Sequence, residues 1–101
     1  MSYKVLFKEE ADSDVFDAWQ WYESRQKGLG DDFLNEVEEY VKVLEQDPLI
    51  YQLRKLNRRY CFLKRFPYII VYEIGNGDII IYAVFNTYQH PIRIDKRFSK
   101  R

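Results

Sequence analysis

One cysteine, one histidine and one methionine are spread over 101 residues, beside three prolines and four glycines. The lone Cys61 cannot close an internal disulfide, and with His90 alone it cannot build a zinc site of the usual Cys/His kind. Cys61 sits in an apolar, strand-like run and reads as a small packed hydrophobe rather than a nucleophile. No segment approaches the roughly 20 apolar residues of a membrane span. The opening residues, Met-Ser-Tyr-Lys-Val-Leu-Phe-Lys-Glu-Glu, lack the apolar stretch of a signal peptide. The expectation is a cytoplasmic protein without metal, cofactor or membrane contact.

Net charge is also missing, since sixteen basic side chains face sixteen acidic ones. The balance hides a strong asymmetry. Residues 1–50 carry 13 acids and 5 bases, a net −8, whereas residues 51–101 carry 3 acids and 11 bases, a net +8. A basic C-terminal half can meet an anionic partner although the whole is neutral. What is plentiful is apolar mass, 47% of residues with 18% aromatic, enough for a packed core. The length and the lack of linkers or repeats predict one domain over 1–101.

Residues 3–8 read as a first strand. Ala11, Val15, Ala18, Trp19 and Tyr22 recur at helical spacing, which predicts a helix from Glu9 or Asp12 to Gln26, stopped by Gly28 and Gly30. Phe33, Val37, Tyr40, Val41 and Leu44 form the stripe of a second helix over 31–46, ended by Asp47-Pro48. The short link makes the pair an antiparallel hairpin. Residues 52–57 fit no single pattern. Three strands follow at 60–66, 68–74 and 78–86, the last two joined at Gly75-Asn76-Gly77. The order β-α-α-β-β-β predicts an α+β domain, a helical hairpin packed on a curved antiparallel sheet. Trp19, Tyr22, Phe33, Val37, Val41, Ile70, Tyr72 and Ile81 are the expected core.

Ala18 to Glu23 (Ala-Trp-Gln-Trp-Tyr-Glu), Gly28-Leu29-Gly30 with Phe33 and Leu34, and Arg65-Phe66-Pro67-Tyr68 with Tyr72 carry a resemblance, as does the Ile-Tyr-Ala-Val of the last strand. With these residues the chain resembles the RelE/ParE superfamily, bacterial toxins of type II toxin–antitoxin systems associated with plasmid stabilization. The ParE-like branch is the nearer look-alike because of the helical hairpin. The resemblance implies a toxin that binds its target, DNA gyrase in the ParE branch, and is neutralised by a cognate antitoxin. The alternative it implies is a ribosome-dependent mRNA endoribonuclease of RelE type, metal-independent. A third is a non-toxic member that only binds an antitoxin. Homodimer and toxin–antitoxin hetero-oligomer both stay open.

The residues bear unevenly on these alternatives. In the cleaving branch an arginine follows the Tyr68 position, where this chain has Ile69, and two lysines fall near Tyr60 and Phe62. The branch's His-x-x-Arg-x-Pro ending reads Asn86, Gln89 and Pro91 here. Ribonuclease chemistry needs a base, an acid and phosphate-binding cations. The candidates left are Arg65 as clamp with Tyr88 or His90 as acid or base. Arg58, Arg59, Lys64, Arg65 and Arg93 are the candidates for a target-binding patch, or else for solvated answers to the acidic helices. Phe16, Trp21 and Tyr51 are the candidates to receive the antitoxin.

Overall fold

The computed structural model describes residues 2–88, and within them the side chain of Lys55 is left aside. β1 (Lys4–Phe7) leads through Lys8 into α1 (Glu9–Arg25), whose first turn places Glu9, Glu10 and Asp12 at the positive end of the helix dipole. Gln26 is extended and ends the helix. Gly28 then takes φ +89°, a left-handed geometry that side chains disfavour, and starts α2 (Leu29–Gln46). The second helix thus begins two residues before the expected Asp31. Gly30 is no helix stop but lies within the first turn of α2.

The remaining chain forms β2 (Leu53–Lys55), β3 (Arg58–Phe62), β4 (Tyr68–Gly75) and β5 (Asp78–Asn86) in a sheet of order β1-β5-β4-β3-β2. β2 occupies the stretch that the sequence left ambiguous, and β3 stops at Phe62 rather than 66 because residues 64–67 bend at Pro67. β2 to β5 are antiparallel neighbours, but β1 runs parallel to β5, with Lys4 beside Asp78 and Phe7 beside Ile81. The sheet is therefore mixed rather than antiparallel throughout. Tight hairpins force antiparallel pairing, and no hairpin joins the first strand to the last.

Asn76 (φ +52°) and Gly77 (φ +81°) close the β4–β5 hairpin between the paired Gly75 and Asp78, as two positive-φ residues should in a two-residue turn. Further along, Tyr72 opposes Ile81 and Val71 opposes Ala83, so Tyr82 is the extra residue of a bulge. The bulge switches faces. Ile79, Ile81 and Val84 join Phe33, Leu44, Ile70 and Tyr72 in the core beneath the helices, while Ala83 and Phe85 join Ile69, Val71 and Tyr60 on the other side.

Seven of the eight expected core residues lie in the core beneath α1 and α2: Phe33, Val37, Ile70, Tyr72 and Ile81 are buried, and Tyr22 and Val41 pack against them at the margin. Trp19 is the exception. α1 buries only Ala11 and Ala18, small residues that let the helix lie close to the sheet, so its large rings fall to the flanks. The Tyr72 hydroxyl donates to the Pro48 carbonyl at 2.5 Å, pinning the chain between α2 and β2 to the central strand. Glu36, also buried, accepts the Arg65 N–H at 2.8 Å and holds the β3–β4 bend against α2.

Candidate functional site

α1 presents Asp12, Val15, Phe16 and Trp19 at spacings of three and four, so one side of the helix carries them all. α2 answers with Leu34, Val37 and Glu38, and Phe7 closes the end from the edge of the sheet. Between them lies a cleft of about 480 Å³. Phe16 is 56% exposed and stacks toward Trp19 with ring centroids 6.1 Å apart. The Trp19 indole N–H donates to Asp31 Oδ1 at 3.0 Å, which fixes the ring at the lip of the cleft instead of in the core. The walls are apolar, and exposed carboxylates at Asp12 and Glu38 stand at the rim. Such a groove suits an apolar segment flanked by cations.

Of the three expected antitoxin contacts, only Phe16 lies in this groove. Trp21 is exposed on a different flank of α1, under the Arg25 guanidinium at 4.6 Å and edge-on to Tyr22. Tyr51 is not a surface aromatic. It packs against the core with its hydroxyl hydrogen-bonded to the Cys61 sulfur, and its own acidity is driven down by burial. Burial also pushes the Cys61 thiol up to about 11, which makes it unreactive as the sequence implied. Trp19, Phe7, Leu34, Val37 and the two rim acids were not singled out by the sequence as contacts.

The expected basic patch is dispersed. Arg58 is buried at 3% exposure and so cannot present its charge to a large partner. Arg59 Nη1 donates to the Tyr51 carbonyl at 2.7 Å. Arg65 Nη2 stands 3.6 Å from Asp32 Oδ2, and its guanidinium lies 5.3 Å from the centre of the Phe66 ring. Arg65 therefore answers an acid of α2 in the same molecule. Lys64 is exposed. Arg54, absent from the expected set, lies over Phe62 and Tyr60 at 5.4 and 5.9 Å. Tyr88 is 86% exposed, with its backbone N–H donated to Asn86 Oδ1. His90 and Arg93 lie outside the described residues. Among the described residues no group of three or more His, Cys, Asp or Glu side chains is placed to hold a metal ion, and no helix is long and apolar enough to cross a membrane.

The motif Trp-Tyr-Glu…Gly-Leu-Gly resolves into a clasp between the helices. Glu23 Oε2 accepts the Gly28 N–H and Oε1 accepts the Gly30 N–H, both at 2.9 Å, which satisfies two free donors at the start of α2. A side chain at Gly30 would collide with Trp19 and Glu23, so the helices meet here with no atom to spare. Residues 5–91 match the family described as ParE toxin of type II toxin-antitoxin system, parDE. The chain belongs to the ParE toxin family.

Solved structures share the fold. A chain of the chromosomal ParDE system from P. aeruginosa superposes with a TM-score of 0.72 at 16% identity, covering 84% of this chain and 96% of the other. The isolated RelE toxin of E. coli gives 0.65 at 15% identity over 99% and 100%. A chain of the RelBE2 toxin–antitoxin complex from Mycobacterium tuberculosis gives 0.60 at 18% identity over 85% and 99%. A comparison with curated protein sequences gives no significant match. The ParE-family chain is thus a toxin of the type II toxin–antitoxin kind. In this light the clasp is what the ParE-like motif encodes: a rigid joint that sets the two walls of the groove.

Proposed function

We propose that this ParE-family toxin acts by binding rather than by cutting. In this reading the α1–α2 groove is where its antitoxin docks, and its target is a gyrase-type enzyme. The observation that carries the docking is the apolar cleft of Phe7, Phe16, Trp19 and Leu34 rimmed by Asp12 and Glu38. Its occupant is a segment with apolar anchors at helical spacing and Lys or Arg beside them. Support for binding over cutting comes from Arg65, engaged with Asp32, and from Ile69, a buried apolar residue where the cleaving branch has a cation.

Two measurements test this. The neighbouring gene product, co-purified with the toxin, should be released by Phe16→Ser combined with Trp19→Ser, at a loss of at least ~30-fold in affinity for two anchor residues. Full retention would remove the groove as the docking site. Induced expression, read separately for DNA supercoiling and for mRNA cleavage on ribosomes, tests the target. Tyr88→Phe with His90→Ala should leave growth inhibition intact. Ribosome-dependent cleavage abolished by that pair would replace binding with ribonuclease chemistry, where one proton-transfer group is worth about 10²–10⁴-fold in rate.

A further inference from the structure

The two hairpins of the sheet are built to different rules. At the β4–β5 turn the positive-φ positions go to Asn76 and Gly77. At the β2–β3 turn, between the paired Lys55 and Arg58, the positive-φ position goes to Leu56, at φ +54°. Leucine seldom adopts this backbone geometry, and nothing in the core rewards it, because Leu56 is 81% exposed. The hairpin thus holds a bare aliphatic side chain at its tip, with exposed Leu53 and the exposed cation of Arg54 just before it in the chain. Strain kept at an exposed tip points to what the side chain meets.

The complementary surface is on the same molecule but at its other edge. The groove between α1 and α2 is apolar inside and acidic at the rim, which matches an aliphatic tip with a cation beside it. A chain cannot fill its own groove. The groove opens beside β1 and the tip belongs to β2, the two edge strands of the sheet, which lie four strand spacings or roughly 19 Å apart. We infer that the protein associates with itself head to tail, Leu56 of one copy entering the groove of the next with Phe16 and Trp19 around it. The contact is heterologous, so it leaves a free tip and a free groove at the ends of every assembly. A hairpin tip covers little area, which makes the association weak and rapidly reversed. The inference stands whatever else the groove receives. If it also receives an antitoxin, the two occupants exclude each other.

Sedimentation velocity on the full chain over a wide concentration range tests it. The wild type should associate as concentration rises, and less so in high salt. Leu56→Asn suits the left-handed backbone and should fold at least as well as the wild type, yet weaken association by about 30-fold or more. Leu56→Gly serves as a second tip variant with no backbone penalty. Phe16→Ser should weaken association from the groove side. The decisive sample mixes Leu56→Asn with Phe16→Ser: the intact groove of the first accepts the intact tip of the second, so one-to-one complexes form and growth stops there. A wild type that stays monomeric throughout would overturn the inference. So would tip variants that associate normally, or a mixture that forms no pairs.

Discussion

Gly30 is the tightest point of the joint, and Gly30→Ala measures how much the joint matters. A methyl carbon there would stand 2.7 Å from the Trp19 carbonyl oxygen, 2.8 Å from Glu23 Oε1 and 2.9 Å from Trp19 Cδ1, where ordinary contact begins at 3.4 Å. The nearest obstacle is backbone, so the helices must part by about half an ångström or more. Overpacking of this kind costs about 1–3 kcal/mol. The displaced Glu23 carboxylate loses its bond from the Gly30 N–H, worth about 1.5–3 kcal/mol for a charged acceptor. Alanine returns about 1 kcal/mol through its better helix propensity. The net expectation is a loss of about 1.5–5 kcal/mol, and a melting temperature lower by at least ~6 °C for a domain of this size. Urea unfolding followed by the fluorescence of Trp19 and Trp21 reads it directly. Gly28→Ala is the control: it meets nothing within 4 Å, so only its φ of +89° counts, at about 1–2 kcal/mol. A Gly30→Ala protein as stable as the wild type, or less perturbed than Gly28→Ala, would refute the account of the clasp.

Tyr72→Phe keeps the buried ring but strands the Pro48 carbonyl, and should cost about 1–3 kcal/mol in the same unfolding measurement; a neutral result would mean that the carbonyl finds another donor. Alkaline pH should destabilise the fold in a defined window. Burial raises Cys61 from 9.0 to about 11 and Tyr22 from 10.0 to about 12, so the unfolded chain gives up these protons first. Stability is then unaffected by these two groups below pH 9 and falls as pH rises toward 11 and then 12. Removing the thiol with Cys61→Ala should flatten the lower part of that fall, and an unchanged profile would exclude Cys61 as its source. By the same burial, a thiol reagent should label Cys61 only as fast as the chain unfolds.

The long periodic elements were legible because their spacing is local. Phe33, Val37 and Leu44 define the buried side of α2, and Asn76-Gly77 names its own turn. What failed to show depends on distant pairing. The parallel contact of β1 with β5 joins residues more than seventy apart, and β2 is only three residues long, too short to show a period. The bulge at Tyr82 reverses the faces of β5 midway, which no fixed two-residue period can express. Arg58 looked like a surface residue by type, and its burial became visible only once β3 had its neighbours, as did the half-buried place of Tyr51 against the core. Trp19 misled for a different reason. A ring at helical spacing fits a core or a groove equally well, and the deciding signal was the small Ala11 and Ala18 on the adjacent stripe.

Those two alanines reach further than packing. They lie seven residues apart, two turns of α1, and their methyl groups are the whole spacer between helix and sheet along that line. The clasp at Glu23 fixes the far end of α1 against α2, so a bulkier residue at position 11 or 18 would tilt the helix as a lever about that joint. The mouth between Phe16 and Leu34 would change width although every residue lining it stayed the same. On the docking proposed for this groove, partner choice drifts through positions that no partner touches, hidden beneath the wall instead of on it.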